Sequence, residues 1–442
     1  MDILVENGHV YADGNTVKAD VGVRDGRIAE VGDVDDADRV IDASGSLVLP
    51  GMVNAHTHAS MTLLRGYADD LPLQTWLEDH IWRVEGHLTP DDIRVGAELA
   101  VVEMIRSGTT AFADMYFEME EVAEAVDEAG LRAKLGYGII TVGKDEEEVR
   151  DELREGIDFA REYDGKADGR LRTMVTPHAP YTCDDDTLRK AAEEARDADV
   201  TLHTHLSETA QEVDDCVENE GKRPPEYLNS LGVFDGGDDD GDEEDADAYV
   251  AHAVHLNDSD IELLARRGVG VAHCPSANMK LASGTAPVTA LLDAGVTVGI
   301  GTDGPASNNT LDMFKEARHA ALVAKTREND ASVVSAHEAL EAATRGGAEL
   351  LGTGAGVIAE GRPADLAVVD LDAPHLTPKH DLVSHAVYAA NGADVKTTIV
   401  DGEVLMEEGV VETIDEDAVI AEAEETARGL VERAEADEVV KE

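Results

Sequence analysis

Eight short apolar runs, most of them separated by segments of helical period, constrain this chain more than any other feature. They are "GMVNAHTH" (51–58), "TTAFADMY" (109–116), "LRAKLGYGII" (131–140), "LRTMVTPHAP" (171–180), "VTLHTHLSE" (200–208), "AYVAHAVHL" (248–256), "GVGVAHCP" (268–275) and "VTVGIGTDG" (296–304). Apolar periodicity near 3.6 marks helices over 91–107, 119–129, 145–163, 185–198, 258–267 and 310–327. Strands that alternate with helices this way predict an α/β fold, a parallel (β/α)₈ barrel of the TIM type. An open doubly wound sheet would place a glycine-rich phosphate turn after its first strand, and none is present.

The two ends of the chain read differently. "ILVENGHVY", "VGVRDGRIAEVG" and "SLVLPG" in the first fifty residues are short strands joined by turns, with Asp25-Gly26 as a hairpin signal. The same texture returns in "ADLAVVDLD" (364–372) and "VKTTIVDGEVLMEEGVV" (395–411), which carries Asp401-Gly402. Both termini are therefore expected to build one small composite β-sandwich. Its first part covers 1–52 and its second 358–412, with the barrel over 53–357 and a charged C-terminal helix over 413–442. "TRGGAELLG" (344–352) resembles a phosphate loop only superficially and reads as helix. The acidic run 235–248 has no apolar period and reads as a solvated, mobile loop ahead of strand six. Its residues do not follow the ligand spacing of an EF-hand.

Three of the eight runs end in groups that bind metals. His56 and His58 stand two apart, and alternate strand residues share a face, so both imidazoles can converge on one ion. His205 at the end of strand five and Asp303 at the end of strand eight supply further nitrogen and oxygen donors of the kind zinc accepts. In a barrel of this type the active site lies at the C-terminal ends of the strands, where all of these residues fall. Imidazoles and one carboxylate can hold an ion that lowers the pKa of water toward neutrality. Attack on an electrophilic carbon then needs a proton donor and a base. Glu208, three residues past His205, is placed to donate, and Asp303 with His252 of strand six to accept. His203 is read as structural, and His255 and His273 as core groups or supports behind the ligands.

Composition narrows the class. The 442 residues carry 95 Asp and Glu against 36 Lys and Arg, a formal charge of −59. Nothing basic would neutralise phosphates, so nucleic acid and anionic membrane surfaces are excluded as partners. Periodic apolar runs persist along the chain, so the acidity does not mean disorder. It fits a halophilic protein in which counterions screen self-repulsion. Cys183, Cys216 and Cys274 are an odd number without paired spacing and imply no disulfide framework. "MDILVENGHVY" has neither the basic nor the apolar region of a secretory signal, and no run reaches the length of a membrane span. A cytoplasmic protein is expected, and a homo-oligomer is left open.

The stretches "PGMVNAHTHASMTLLRG", "SGTTAFADMYF", "TPHAPYTC", "HTHLSETAQE", "AHAVHL", "CPSANMKLASG" and "GTDGPASNN" together resemble the amidohydrolase superfamily. Within it they are similar to the 5'-methylthioadenosine/S-adenosylhomocysteine deaminases over nearly the whole length. That resemblance implies a sandwich-plus-barrel fold, one divalent metal (zinc as a rule) and hydrolytic loss of ammonia from C6 of an adenosine-type nucleoside. It further implies His56, His58, His205 and Asp303 as metal ligands, and Glu208 as the residue that protonates the purine. His252 is implied to bind the attacking water, Glu85 the ribose hydroxyls and His178 the nucleoside. Trp76 resembles an aromatic wall of the pocket and Ser307 a polar contact near the sugar. No Lys at the end of strand four offers a bridging ligand, which favours a single metal.

One departure bears on the substrate. Family members that take S-adenosylhomocysteine present two arginines after strand three. Between Leu135 and Val149 this chain has only Lys144 as a basic residue, and Tyr137 falls near one expected arginine. Loss of a bidentate carboxylate clamp weakens the case for S-adenosylhomocysteine as the preferred substrate. The neutral nucleosides 5'-methylthioadenosine, 5'-deoxyadenosine and adenosine fit the sequence as it stands. A guanine deaminase or triazine-type aminohydrolase on the same barrel is the alternative, although Glu85 has no duty without a ribose. A non-catalytic barrel scaffold is the remote alternative, opposed by the intact ligand set with Glu208 and His252.

Overall fold

The computed structural model describes residues 1–236 and 247–441, without the side chains of 438–441. Most of the acidic run singled out above therefore lies outside the described residues. The eight apolar runs form eight parallel strands that pair in sequence order: Met52–Thr57, Thr109–Tyr116, Arg132–Ile139, Leu171–Pro177, Thr201–Leu206, Ala248–His252, Gly270–His273 and Val298–Ile300. We call them strands one to eight. Between strands eight and one the Asp303 amide donates to the His56 carbonyl at 3.0 Å, which draws the sheet's two edges into a barrel. Gly301 makes that approach possible, because a Cβ there would lie 2.9 Å from the His56 amide nitrogen.

Small residues fill the barrel's interior. Val53, Ala55, Ala111, Ala113, Met174, Tyr249 and Ala272 form one buried cluster, capped from below by Ala348, Leu350 and Leu351. The opposite faces of the same strands pack on the surrounding helices. Those helices start where the sequence supplies caps: Thr89 with Asp92, Asp145 with Glu148 and Asn257 with Asp260 each form a reciprocal capping box. The segment 344–352 is helical, as its sequence suggests.

The terminal β-segments interleave in two further sheets. Four strands, in the order Arg27–Gly32, Asp20–Arg24, Ile3–Glu6 and Arg39–Asp42, form one sheet. In the seven-stranded sheet, Ser46–Pro50 pairs antiparallel with Leu366–Asp370, so the two ends of the chain meet there. Val5, Val23, Ile41 and Val48 share a buried core with Ile358, Leu366, Val368 and Ile399. Arg132 at the foot of strand three ties barrel to sheet through bonds to the buried Asp365 (2.8 and 3.2 Å) and to Asp401 (2.6 Å). The C-terminal helix Glu416–Lys441 packs on the barrel helix Pro90–Arg106, where Arg433 donates to Asp92 at 2.5 Å. Among the described residues no helix is long and apolar enough to cross a membrane.

Candidate active site at the strand ends

Strand direction carries the candidate ligands to one place. Ring nitrogens of His56, His58 and His205 lie within 4.8 Å of one another, and so do the ligand atoms of His56, His252 and Asp303. The Asp303 carboxylate sits 3.3 Å from His58 Nε2 and 3.6 Å from His56 Nε2. The chain turns sharply just past three strand ends: Ser207, His252 and Asp303 all have positive φ, at 50°, 70° and 63°. Such backbone is uncommon for residues other than glycine and is maintained only when the surroundings over-determine it. Here they do. Glu212 takes the Ser207 amide at 2.6 Å, the Ala253 amide bonds Leu206, and the Asp303 amide bonds His56.

Each imidazole is oriented by what its outer nitrogen meets. His58 Nδ1 lies 2.6 Å from the Met115 carbonyl and His205 Nδ1 2.6 Å from the His178 carbonyl. A carbonyl only accepts, so both Nδ1 atoms carry the hydrogen, and in the neutral ring each Nε2 presents its lone pair inward. His252 Nδ1 is held by Asn278 Oδ1 at 2.9 Å. The inward Nε2 of His56 is buried and has no hydrogen-bond partner among the described residues. An unpartnered buried nitrogen beside a carboxylate and two like nitrogens fits a divalent cation, since a buried polar atom is otherwise costly.

Burial and charge set the protonation tendencies. Burial lowers His56 to about 4 and His178 to about 3, and holds His205 well below the usual imidazole range. Burial also opposes ionisation of Asp303, but the neighbouring His56 and His58 imidazoles outweigh this and hold it well below the usual carboxylate range. For Glu208 burial dominates and raises the pKa, as suits a carboxyl that must carry a proton. Its Oε1 accepts from Ser283 Oγ at 3.3 Å, and its Oε2 stands 3.9 Å from His252 Nε2.

His58, His205, His252 and Asp303 line a cavity that is open at its mouth. Glu85, His178, Trp76 and Glu208, read from the sequence as substrate contacts, line it. Trp76 is anchored by its indole N–H to the Ala68 carbonyl at 3.1 Å. Ser307 is the exception. Its hydroxyl donates to Asp303 Oδ2 at 2.5 Å, and the residue does not line the cavity, so it supports Asp303 instead of facing a sugar. Lys144 also lies outside; it pairs with Glu152. Among the described residues no Lys or Arg lines the cavity.

Several site residues escape a reading of the sequence. Tyr116 donates its phenol to Glu85 at 2.5 Å, and its place at the end of strand two was the available signal. Glu212 accepts the amides of Ser207 and Glu208 at 2.6 and 2.7 Å. His255 holds the Ser283 carbonyl at 2.6 Å and so steadies the hydroxyl that reaches Glu208, a supporting part as expected. His273 is buried, with both ring nitrogens lacking partners among the described residues.

The comparisons with known proteins agree with this geometry. The 5-methylthioadenosine/S-adenosylhomocysteine deaminase of Natronomonas pharaonis is 54% identical over 436 residues, covering 99% of this chain and 97% of that protein. The 5'-deoxyadenosine deaminase of Methanosarcina mazei is 48% identical, covering 98% and 99%. The crystal structure of an adenosine deaminase from Xanthomonas campestris with bound zinc superposes with a TM-score of 0.89 at 37% identity, covering 98% of this chain and 99% of that one. The model of the amidohydrolase family matches residues 47–405, and with these relatives it establishes that the chain belongs to that family of metal-dependent hydrolases.

Proposed function

We propose that this protein is a mononuclear zinc deaminase that converts adenosine-type nucleosides to inosine-type products and ammonia. The carrying observation is one cavity whose wall brings together His58, His205, His252 and Asp303, the protonatable Glu208 and the half-buried Glu85, with no Lys or Arg among the described residues that line it. His56, His58, His205 and Asp303 would hold the ion. Zinc bound there would acidify water, from a pKa of 15.7 toward about 7, so that a nucleophile forms near neutral pH.

The remaining work falls to the chain. Glu85, its oxygen fixed by Tyr116, accepts the ribose hydroxyls, while Trp76 and His178 border the base. Glu208 gives its proton to the purine ring as the water oxygen bonds to C6, which relieves the charge that would build up on nitrogen. Asp303 and His252 take the water's proton. Transfer of that proton to the 6-amino group lets the C–N bond break with loss of ammonia, and the hydrogen left on the C6 hydroxyl returns to Glu208 as the carbonyl forms, so one water enters and one ammonia leaves.

A carboxylate on the 5' substituent would find no Lys or Arg among the described residues that line the cavity, because Lys144 is engaged by Glu152 outside it. Neutral 5' groups are therefore preferred. The charge of −59 supports a salt-requiring, cytoplasmic enzyme. The test is ammonia release from 5'-methylthioadenosine, 5'-deoxyadenosine, adenosine and S-adenosylhomocysteine in matched strong salt. No release from any of them overturns the deaminase reading. A tenfold or greater preference in kcat/KM for S-adenosylhomocysteine overturns the pocket reading.

A further inference from the structure

Among the three histidines of the HxH pairs that face the proposed metal, His56 is oriented differently from the other two. His58 and His205 rest on backbone carbonyls, which no substitution removes. The Nδ1 of His56 instead lies 2.9 Å from Nε2 of His203, a side chain on strand five whose solvent exposure is 0%. His203 Nδ1 is in turn 3.0 Å from the Tyr249 carbonyl on strand six.

That order fixes the hydrogens. The Tyr249 carbonyl accepts only, so His203 Nδ1 carries the hydrogen and its Nε2 is a bare acceptor. His56 Nδ1 must then be the donor, which leaves His56 Nε2 with a lone pair pointing inward, where it has no hydrogen-bond partner among the described residues. The His203 ring cannot easily turn away. It stacks on the Tyr249 ring with centroids 4.0 Å apart and planes at 21°, inside the closed barrel. Residues 203 and 205 share the inward face of strand five, so one strand supplies a ligand at its end and a buttress one pleat deeper.

We infer that His203 is the positioning residue of the metal centre: by accepting the His56 Nδ1 hydrogen it fixes the tautomer and ring plane in which His56 can ligate. This revises the structural role expected from the sequence, and it rests on the proposed metal site. A hydrogen bond to the outer nitrogen of a ligating histidine typically changes metal affinity by about 10- to 100-fold.

The experiment measures zinc and cobalt dissociation constants by chelator competition on the full chain in molar salt. Wild type is compared with His203→Leu, His203→Phe and His203→Gln. Leu and Phe fill the space without an acceptor, and Phe keeps a ring for the Tyr249 stack. Gln offers an acceptor to His56 and a donor to Tyr249. The expected result is metal affinity roughly 10- to 100-fold weaker for Leu and Phe, with Gln restored to within about threefold of wild type. The cobalt spectrum should alter in the same order. Thermal melts of the metal-free proteins separate packing from ligation. If Leu or Phe lowers the apo Tm yet binds metal as tightly as wild type, His203 is merely structural and the inference is overturned. Gln as weak as Phe overturns it as well. A wild-type protein that binds neither metal would overturn the metal site itself, which is a distinguishable result.

Discussion

Glu212→Gln is the substitution that most directly asks how Glu208 is aimed. Glu212 is buried one turn into the helix Ala210–Glu220, and its two oxygens accept the consecutive amides of Ser207 and Glu208 at 2.6 and 2.7 Å. Both bonds are charge-assisted when the carboxylate is ionised. A glutamine keeps the shape but turns an N–H₂ toward one of those N–H groups, so one bond is lost and two donors oppose each other. A hydrogen bond to a charged group contributes about 1.5–3 kcal/mol. If that loss appears in the position of Glu208, kcat falls by roughly 10- to 150-fold, at about 1.4 kcal/mol per decade. Glu212 does not line the cavity, so KM and metal content should stay within about twofold of wild type. The pH dependence gives a second check. Burial, against the pull of the two amides, pushes Glu212 up to about 7. The wild-type advantage should therefore be largest above pH 7 and shrink as the pH falls and the carboxyl protonates. Steady-state kinetics on a 5'-modified adenosine from pH 6 to 8.5 supply both readings. A kcat within twofold of wild type at pH 8 would refute the idea that these two amides fix Glu208.

Other substitutions address the metal, the proton donor and the fold. His56→Ala and Asp303→Ala should each lose bound metal and turnover together, whereas wild type carries about one zinc per chain by elemental analysis; two equivalents would rule out the mononuclear scheme. Glu208→Gln should keep its metal and lose roughly 10²–10⁴ in kcat, and near wild-type turnover would make Glu208 a helix-end carboxylate. Arg132→Met strands the fully buried Asp365 at a cost of about 3–5 kcal/mol. With about 2.1 cal/mol/K of unfolding entropy per residue over 442 residues, that lowers Tm by about 3–5 °C in calorimetry, and an unchanged Tm would refute it. Glu316, pushed up to about 7 mainly by burial, binds its proton more tightly folded than unfolded. Its destabilising effect is full above pH 7 and disappears as pH falls toward its ordinary 4.5, so Glu316→Gln should flatten that part of the Tm–pH curve.

Much of this was legible from residue order alone, for a physical reason. Strand period and helix period are local, so the eight strands and the helices between them follow from patterns such as "TTAFADMY" and from caps such as Asp145 and Asn257. A ligand at the C-terminal end of a parallel barrel strand can face only one place, so His56, His58, His205 and Asp303 converge once the barrel is assumed. What stayed hidden depends on how loops settle between elements. Ser307 sits four residues after Asp303 in a short helical turn that bends its hydroxyl back onto that carboxylate and away from the cavity. Tyr116 reaches Glu85 across 31 positions and Ser283 reaches Glu208 across 75, and no local period encodes either. His203 was visible as an inward-facing histidine, but which nitrogen meets which neighbour required the geometry of strand six.

Charge acts on substrate choice at two ranges, and salt separates them. The net charge of −59 spreads a negative field over the surface, which in dilute buffer slows the approach of any anionic ligand. At about 1 M ionic strength the screening length is near 3 Å, so that field no longer reaches an incoming molecule. Inside the cavity the situation differs. Asp303 is buried and Glu85 half-buried, and no Lys or Arg among the described residues of the wall pairs with them. In the proposed binding mode a carboxylate on the 5' side would therefore find no Lys or Arg to pair it at any salt concentration, while the wall offers Leu73, Leu77, Trp82 and Leu281 to a neutral substituent. Discrimination that vanished entirely on going from low to molar salt would belong to the surface. Discrimination that persists belongs to the pocket, and the arrangement of these residues requires it to persist.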